Sequence, residues 1–384
     1  MKVLVVLGDG MADEPLAELG GKTPLEYART PNFDRIAREG ASGMVRTIPP
    51  GFEAGSDIAN LSILGYDPRT YYTGRGPIEA ASIGVDLAES DVAYRCNLVT
   101  VEDGIMQDFS AGHIPSSEGG ALIRALAASI DGVSLHAGVS YRNLMVVPNG
   151  EGAETTPPHD IVGERIESHL PRGGDAGTLV RVMERSREIL RDQPVNRERI
   201  ARGLRAANMV WPWSGGRKPD LPSFRALHGL SGAMISAVDL LNGIARLAGM
   251  EVIRVPGATG YLDTDYGAKV RYATKALERF DFLYLHVEAP DEAGHMGSVE
   301  EKVRAIERID GMVGTIMETY QGIIAVLPDH PTPVRVKTHT TDPVPFAVRG
   351  LERDGTTRLT EREGARGSLG LIEAVDLLPR LVHP

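Results

Sequence analysis

What most constrains this chain is a set of short, continuous apolar runs rich in β-branched residues, each followed by a carboxylate. Val3–Leu7 leads to Asp9, Phe282–Val287 to Asp291, and Ile323–Leu327 to Asp329. Runs that are apolar at every position, rather than at every second one, belong to strands covered on both faces. Helical patterns follow them: Pro31–Gly40 carries Phe33, Ile36 and Ala37 at the i, i+3, i+4 spacing of one helix face. Met234–Ile235 runs into Val238–Ala248, and Val252–Val255 adds a further short run. This alternation predicts an α/β fold with a mostly parallel sheet flanked by helices. Such sheets bind ligands outside the carboxyl ends of their strands, which is where the three carboxylates fall.

At 384 residues the chain exceeds what one core usually supports, about 250–300 residues. Between about Tyr71 and Gly232 the pattern changes to Pro/Gly-rich joints, strands of mixed polarity (Val92–Leu98, Asn143–Val147) and one long charged helix, Gly177–Asp192. Leu179, Val182, Met183, Ile189 and Leu190 supply that helix's apolar face. We read a core over 1–70, a second, smaller α/β domain inserted over 71–234, and the core resumed over 235–384, with hinges near 65–76 and 215–235. The net charge of −11 argues against nucleic-acid and anionic-membrane partners. No run approaches the roughly 20 apolar residues of a membrane span, and the first is shorter than a signal h-region of about 7–15. The single cysteine, Cys96, excludes an internal disulfide and suits a reducing compartment. A cytoplasmic protein is expected; its oligomeric state is not legible.

Carboxylates and imidazoles gather in Asp291-Glu-Ala-Gly-His295, Leu327-Pro-Asp329-His330 and Lys337-Thr-His339. Asp291 and His295, four apart, share a helix face. Oxygen and imidazole ligands suit Mn²⁺, Zn²⁺ or Mg²⁺. In Ala54-Gly-Ser56-Asp-Ile-Ala-Asn60, a serine opens a helix. By itself it reads as an N-cap; beside two Asp/His clusters it reads as a nucleophile activated by a metal. Asp9-Gly-Met-Ala-Asp13 lacks the ligand alternation of a calcium loop. Thr73-Gly-Arg75-Gly-Pro is a turn presenting Arg75 to a substrate or to a carboxylate. His286, inside an apolar run, reads as a satisfied core histidine, whereas His113 and His159-Asp160 could face a cleft. His136, His169, His228 and His383 read as surface or structural, and Trp211-Pro-Trp213 as a rigid aromatic turn used in packing.

Taken together, these residues resemble the cofactor-independent phosphoglycerate mutases, in particular their shorter archaeal-type branch, within the alkaline-phosphatase superfamily. The resemblance runs through Gly8–Asp13, Thr30–Asp34, Gly55–Asp57, Leu64–Pro68, Gly74–Pro77, Gly257–Gly260, Asp291–His295, Asp329-His330 and Asp342-Pro343, and so spans the chain. It implies an alkaline-phosphatase-like sheet and two divalent metal ions, manganese first, with Mg²⁺ or Zn²⁺ as alternatives. Asp9, Ser56, Asp329 and His330 would hold one ion; Asp291, His295 and His339 the other. Ser56 would be the phosphorylated nucleophile. Arg75, His113, Arg142, His159, Asp160 and Lys269 would bind a small phosphorylated metabolite.

The implied activity is interconversion of 3-phosphoglycerate and 2-phosphoglycerate through phosphoserine. The chain also departs from the mutase pattern. Asn60 stands where mutases usually have His, Leu327-Pro-Asp329-His330-Pro replaces Ala-Asp-His-Ser, and Val210–Gly216 lacks an Arg that archaeal-type mutases carry there, with Arg217 following directly. These features resemble a bacterial side branch proposed to be homoserine kinases, which makes phosphorylation of homoserine the alternative. A non-catalytic binder of phosphorylated metabolites is the non-enzymatic one.

Overall fold

The computed structural model describes residues 2–382, so His383 lies outside the described residues. Thirteen strands are seen among them: β1 (Val3–Gly8), β2 (Gly40–Arg46), β3 (Val92–Glu102), β4 (Ile105–Asp108), β5 (Ser134–Val139), β6 (Arg142–Val147), β7 (Met209–Arg217), β8 (Gly232–Ile235), β9 (Glu251–Val252), β10 (Phe282–Val287), β11 (Ile323–Leu327), β12 (Val344–Arg349) and β13 (Leu371–Glu373). The chain divides into two compact units, one running to Tyr72 and resuming at Leu221, the other Thr73–Asp220. Residues 221–234, assigned to the inserted region from composition, carry β8. That strand pairs in parallel with β10 and so belongs to the first unit's sheet.

The first unit holds an eight-stranded sheet in the order β13-β2-β12-β11-β1-β10-β8-β9. Its centre is parallel, with β1 between β10 and β11; β12 runs antiparallel to both its neighbours. Every residue of β1, β10 and β11 is buried, as continuous apolar runs require. On one face Leu4, Val6, Leu283, Leu285, Ile324 and Val326 pack on Phe33 and Ile36 of the helix Pro31–Arg38 and on Ile306, Ile309, Val313 and Ile316 of the helix Val299–Met317. Each such aliphatic side chain contributes about 1.5–3 kcal/mol by leaving water. In register, Leu7 stands beside both His286 and Leu327. The three central strands therefore end level, and the loops after them leave from one edge.

In the second unit β4, β3, β6 and β5 lie side by side, β7 pairs with β3, and every pairing is antiparallel. Along β3, Val92, Tyr94, Cys96 and Leu98 face a core shared with Leu179, Val182 and Leu190 of the helix Ala176–Arg191. Cys96 is buried there, which pushes its thiol up to about 12 and leaves it inert. Trp211-Pro-Trp213, expected as a turn, is instead part of β7. A proline is tolerated because β7 is an edge strand. No helix among the described residues is long and apolar enough to cross a membrane.

Candidate metal centre

Asp9 leaves β1 and Asp329 leaves β11, and both are fully buried. The loop after β1 turns sharply at Gly10 (φ 59°), where a Cβ would lie 2.5 Å from Thr332 Oγ1 and 2.6 Å from Asp291 Oδ1. Only glycine fits there. The Gly10 N–H donates to Asp329 Oδ1 (3.1 Å), as does the His330 N–H (2.9 Å). Below the loop, buried Lys302 donates to Asp13 Oδ2 (2.7 Å), Ala12 O (3.0 Å) and Thr332 O (2.8 Å), tying the segments after β1 and β11 together.

Ser56 is the first residue of the helix Ser56–Ile63, capped from position 55 with no side-chain capping bond. Its hydroxyl lies 3.1 Å from His330 Nε2. The N-cap reading of Ser56 is thus set aside by geometry. One turn on, Asn60 donates from Nδ2 to Ser56 O (2.8 Å) and Asp329 Oδ2 (2.9 Å), and accepts from the Tyr284 hydroxyl (2.6 Å). Asn60 is absorbed by the scaffold and positions both the serine and its neighbouring carboxylate.

The second cluster stands next to the first. The helix Ala289–Met296 presents Asp291 and His295 on one face, with His295 Nε2 3.2 Å from Asp291 Oδ2. His339 Nε2 is 3.5 Å from Asp291 Oδ1 and 3.1 Å from His295 Nε2. The His330 and His339 rings lie 4.0 Å apart, and the Thr332 hydroxyl donates to Asp291 and approaches His330 Nδ1 (3.3 Å). All seven expected ligands, Asp9, Ser56, Asp291, His295, Asp329, His330 and His339, converge. Two overlapping sets, Asp9–Asp329–His330 and Asp291–His330–His339, have ligand atoms within 4.8 Å of one another.

The electrostatics fit cations. Burial, then the charges of Asp329, Glu288 and Asp291, push the Asp9 carboxyl well above the usual range, and its Oδ1 has no hydrogen-bond partner among the described residues. Burial lowers His330, keeping the imidazole neutral and able to donate a lone pair. Burial would raise Asp291, but hydrogen bonds from His295 and His339 outweigh it and hold the carboxyl well below its ordinary value. Its partner His295 is raised to about 9, by Asp291 above all. The buried carboxylates Asp9 and Asp329 around the neutral imidazole of His330, with an orphaned oxygen, form an inner site short of positive charge.

Three residues behind the centre have roles that the sequence patterns did not reveal. His286 was expected as a plain core histidine. Its Nε2 lies 3.0 Å from Asp9 Oδ2 and its Nδ1 3.2 Å from Ser236 Oγ, so it orients a candidate ligand, and burial lowers it to about 3. Glu288 adjoins the same pair and is pushed up to about 8 by burial and then by Asp291. Lys269, expected among substrate-binding cations, is completely buried with Nζ donating to His286 O (2.7 Å). It has no exposed face for a substrate, and burial lowers it to about 8 against the opposing pull of Glu288. A His in a β-strand and a Lys in a helix give no periodic signal of such a task.

Of the other expected residues, His113 and His159 of the second unit stand beside Phe109, whose ring lies 6.5 Å from His113, 6.0 Å from His159 and 5.7 Å from Tyr141. The Arg142 guanidinium lies 5.8 Å from the Tyr141 ring centre, and Asp160 Oδ1 stands 3.6 Å from His159 Nε2. Arg75 begins the helix Arg75–Ile83, its N–H donating to Ser214 Oγ (3.1 Å).

The family described as 2,3-bisphosphoglycerate-independent phosphoglycerate mutase matches residues 37–196. A relative of that name from Methanothrix thermoacetophila is 52% identical over the full length of both chains. One named as a probable member from Geobacter sulfurreducens is 50% identical over 97% of this chain and 96% of its own. Among solved structures, a protein from Pyrococcus horikoshii superposes with a TM-score of 0.88 at 33% identity over 99% of this chain and 96% of that one. The cofactor-independent phosphoglycerate mutase of Thermoplasma acidophilum gives 0.69 at 28% identity, covering 99% of each. With half of its residues shared across its whole length, the chain belongs to the 2,3-bisphosphoglycerate-independent phosphoglycerate mutase family.

Proposed function

We propose that the chain interconverts 3-phosphoglycerate and 2-phosphoglycerate by passing the phosphoryl group through Ser56. The observation that carries this reading is the Ser56 hydroxyl, at the first residue of its helix and 3.1 Å from His330 Nε2 among buried carboxylates. Asp9, Ser56, Asp329 and His330 would hold one divalent cation, and Asp291, His295 and His339 a second, manganese being the first choice. When bound, such ions lower the pKa of the serine hydroxyl and offset the charge that spreads over the phosphoryl oxygens.

The protein's own part is orientation and charge. Asn60 and the Gly10 N–H hold Asp329, His286 holds Asp9, and the helix start places Ser56 Oγ where an anion is favoured. Ser56 Oγ bonds to phosphorus as the bond to the 3-oxygen of glycerate breaks. The glycerate turns over, and its 2-hydroxyl takes the phosphoryl group back. Arg75, His113, Arg142, His159 and Asp160 are proposed as substrate contacts. Asn60, a departure from the mutase pattern, is accounted for by its three bonds inside the protein and does not argue for another substrate.

The test is to offer the Mn²⁺-loaded protein 3-phosphoglycerate in one mixture, and homoserine with ATP in another. Formation of 2-phosphoglycerate is expected. Its absence, with phosphohomoserine in the second mixture, would replace the mutase reading by the kinase one.

A further inference from the structure

Within the first unit, the end of the sheet opposite the metal centre is where β1 and β11 begin and β12 finishes: Val3 pairs with Ile323, and Arg349 with Ile324. A cavity of about 570 Å³ opens there, with Lys2, Arg35, Glu39, Ile323, Arg349 and Arg353 in its lining. The lining holds four cations and one carboxylate, in a chain whose net charge is −11. Lys2 precedes β1 and Asp9 follows it, so about 20 Å of strand separates the cavity from the inner metal ligands.

Arg349 closes β12 and is only 8% exposed. Its Nη2 donates to Tyr320 O (2.8 Å) and Gly322 O (3.3 Å); Nε and Nη1 show no hydrogen bond among the described residues, and neither is closed off from solvent. An anion entering the cavity can accept from these unused N–H groups. Burial lowers Arg349; Glu39 opposes that shift and the charge of Arg35 adds to it. The carboxylate is already answered, since Glu39 Oε1 lies 2.7 Å from Arg35 Nε. Lys2 Nζ donates to Leu277 O and to Glu278 O (2.9 Å), carbonyls that hold the ammonium without neutralising it. After β12 the chain turns at Gly350 (φ 108°), and the exposed Arg353 returns to the same cavity. A buried fork and three further cations around one answered carboxylate leave the lining short of negative charge.

The volume lies within the range of about 300–1,000 Å³ typical of small-molecule sites, and exceeds what a single phosphate fills. Among the described residues of the lining there is no aromatic ring on which a base could stack. We propose that this cavity binds a compact anion carrying two phosphate groups, at a site separate from the metal centre. Guanidinium forks take phosphate oxygens two at a time, and an ammonium adds a point charge. The cavity's chemistry is independent of the reaction at Ser56.

The test is isothermal titration of the Mn²⁺-loaded full chain with inorganic pyrophosphate, with butanediol bisphosphate and with inorganic phosphate, free Mn²⁺ being kept in excess. Any binding at the metal centre is common to the unaltered protein and its variants, and cancels between them. The better of the two diphosphorylated probes should bind at least about 10-fold tighter than phosphate, the worth of one more charged hydrogen bond. Which of them is better tells whether the phosphates are joined directly or through a carbon chain. Arg353→Glu, at an exposed position, should weaken that binding about 100-fold. Arg349→Lys, which loses the fork, should weaken it about 10-fold. Should the Arg349 variant fail to fold, by thermal unfolding, Arg353→Glu decides. Binding no tighter than that of phosphate, or equal binding by the unaltered protein and Arg353→Glu, overturns the site.

Discussion

The inner half of the metal centre, Asp9, Asp329 and His330, is closed to solvent, whereas His295 and His339 in the outer half keep 38% and 21% of their side chains exposed. The inner carboxylates repel one another, and Asp9 Oδ1 has no hydrogen-bond partner among the described residues. The outer half has already neutralised itself, because Asp291 is paired with a readily protonated His295. The inner half is therefore missing charge, and the outer half must give up a proton before it can take a cation. One is preorganised at the expense of stability; the other is at rest until a metal arrives.

Ser56→Ala gives the largest effect and breaks the comparison cleanly if it is wrong. Turnover of 3-phosphoglycerate should fall by about 10⁴-fold or more, as when a nucleophile is removed, with metal content close to unaltered. Retention of activity would remove the serine from the mechanism. Asp9→Asn should cost about 10³-fold in activity by weakening the inner ion, yet raise the stability of the metal-free protein by about 1–3 kcal/mol at neutral pH. Thermal unfolding with and without chelator reads that inversion. A variant that is destabilised in both states would mean the inner half is not short of charge.

The outer half should behave differently. His339→Ala is expected to weaken one metal site about 10–100-fold in a Mn²⁺ titration, with little change in metal-free stability, because the removed group is partly exposed. The smallest effect is in pH. The folded His295 imidazole titrates near 9, above its ordinary 6.5, so at neutral pH it carries a proton that metal binding must expel. Binding at the outer half should therefore tighten as pH rises toward about 9 and weaken on acidification. A pH indicator in weak buffer should report proton release when Mn²⁺ is added at pH 7. The same linkage makes the His295–Asp291 contribution to metal-free stability full below about 6.5, and lost as pH rises through about 9.

The comparison also explains what could be read from sequence. Strands β1, β10 and β11 announce themselves as unbroken apolar runs, and Asp9, Asp291 and Asp329 follow from where those runs stop. Asp291 and His295 follow from helical spacing alone. The antiparallel placement of β12 and the edge position of β7 depend on partners distant in sequence, which no local pattern encodes. Asn60 was visible only as a departure from a familiar pattern, and its three bonds show why an amide works there. His286 and Lys269 lie in stretches whose periodicity announces only burial. A polar side chain inside such a run has a function set by what it faces across the sheet. For His286 that neighbour is Asp9, more than two hundred residues back.

The central claim is that Ser56 carries the phosphoryl group between the two oxygens of glycerate. Mass spectrometry of peptides from Mn²⁺-loaded protein, acid-quenched during turnover of 3-phosphoglycerate, tests it most directly. The account predicts a phosphoryl adduct on the peptide containing Ser56, lost when the metal is chelated beforehand. Turnover that proceeds with no adduct on that peptide, or with the phosphoryl group on another residue, would contradict it.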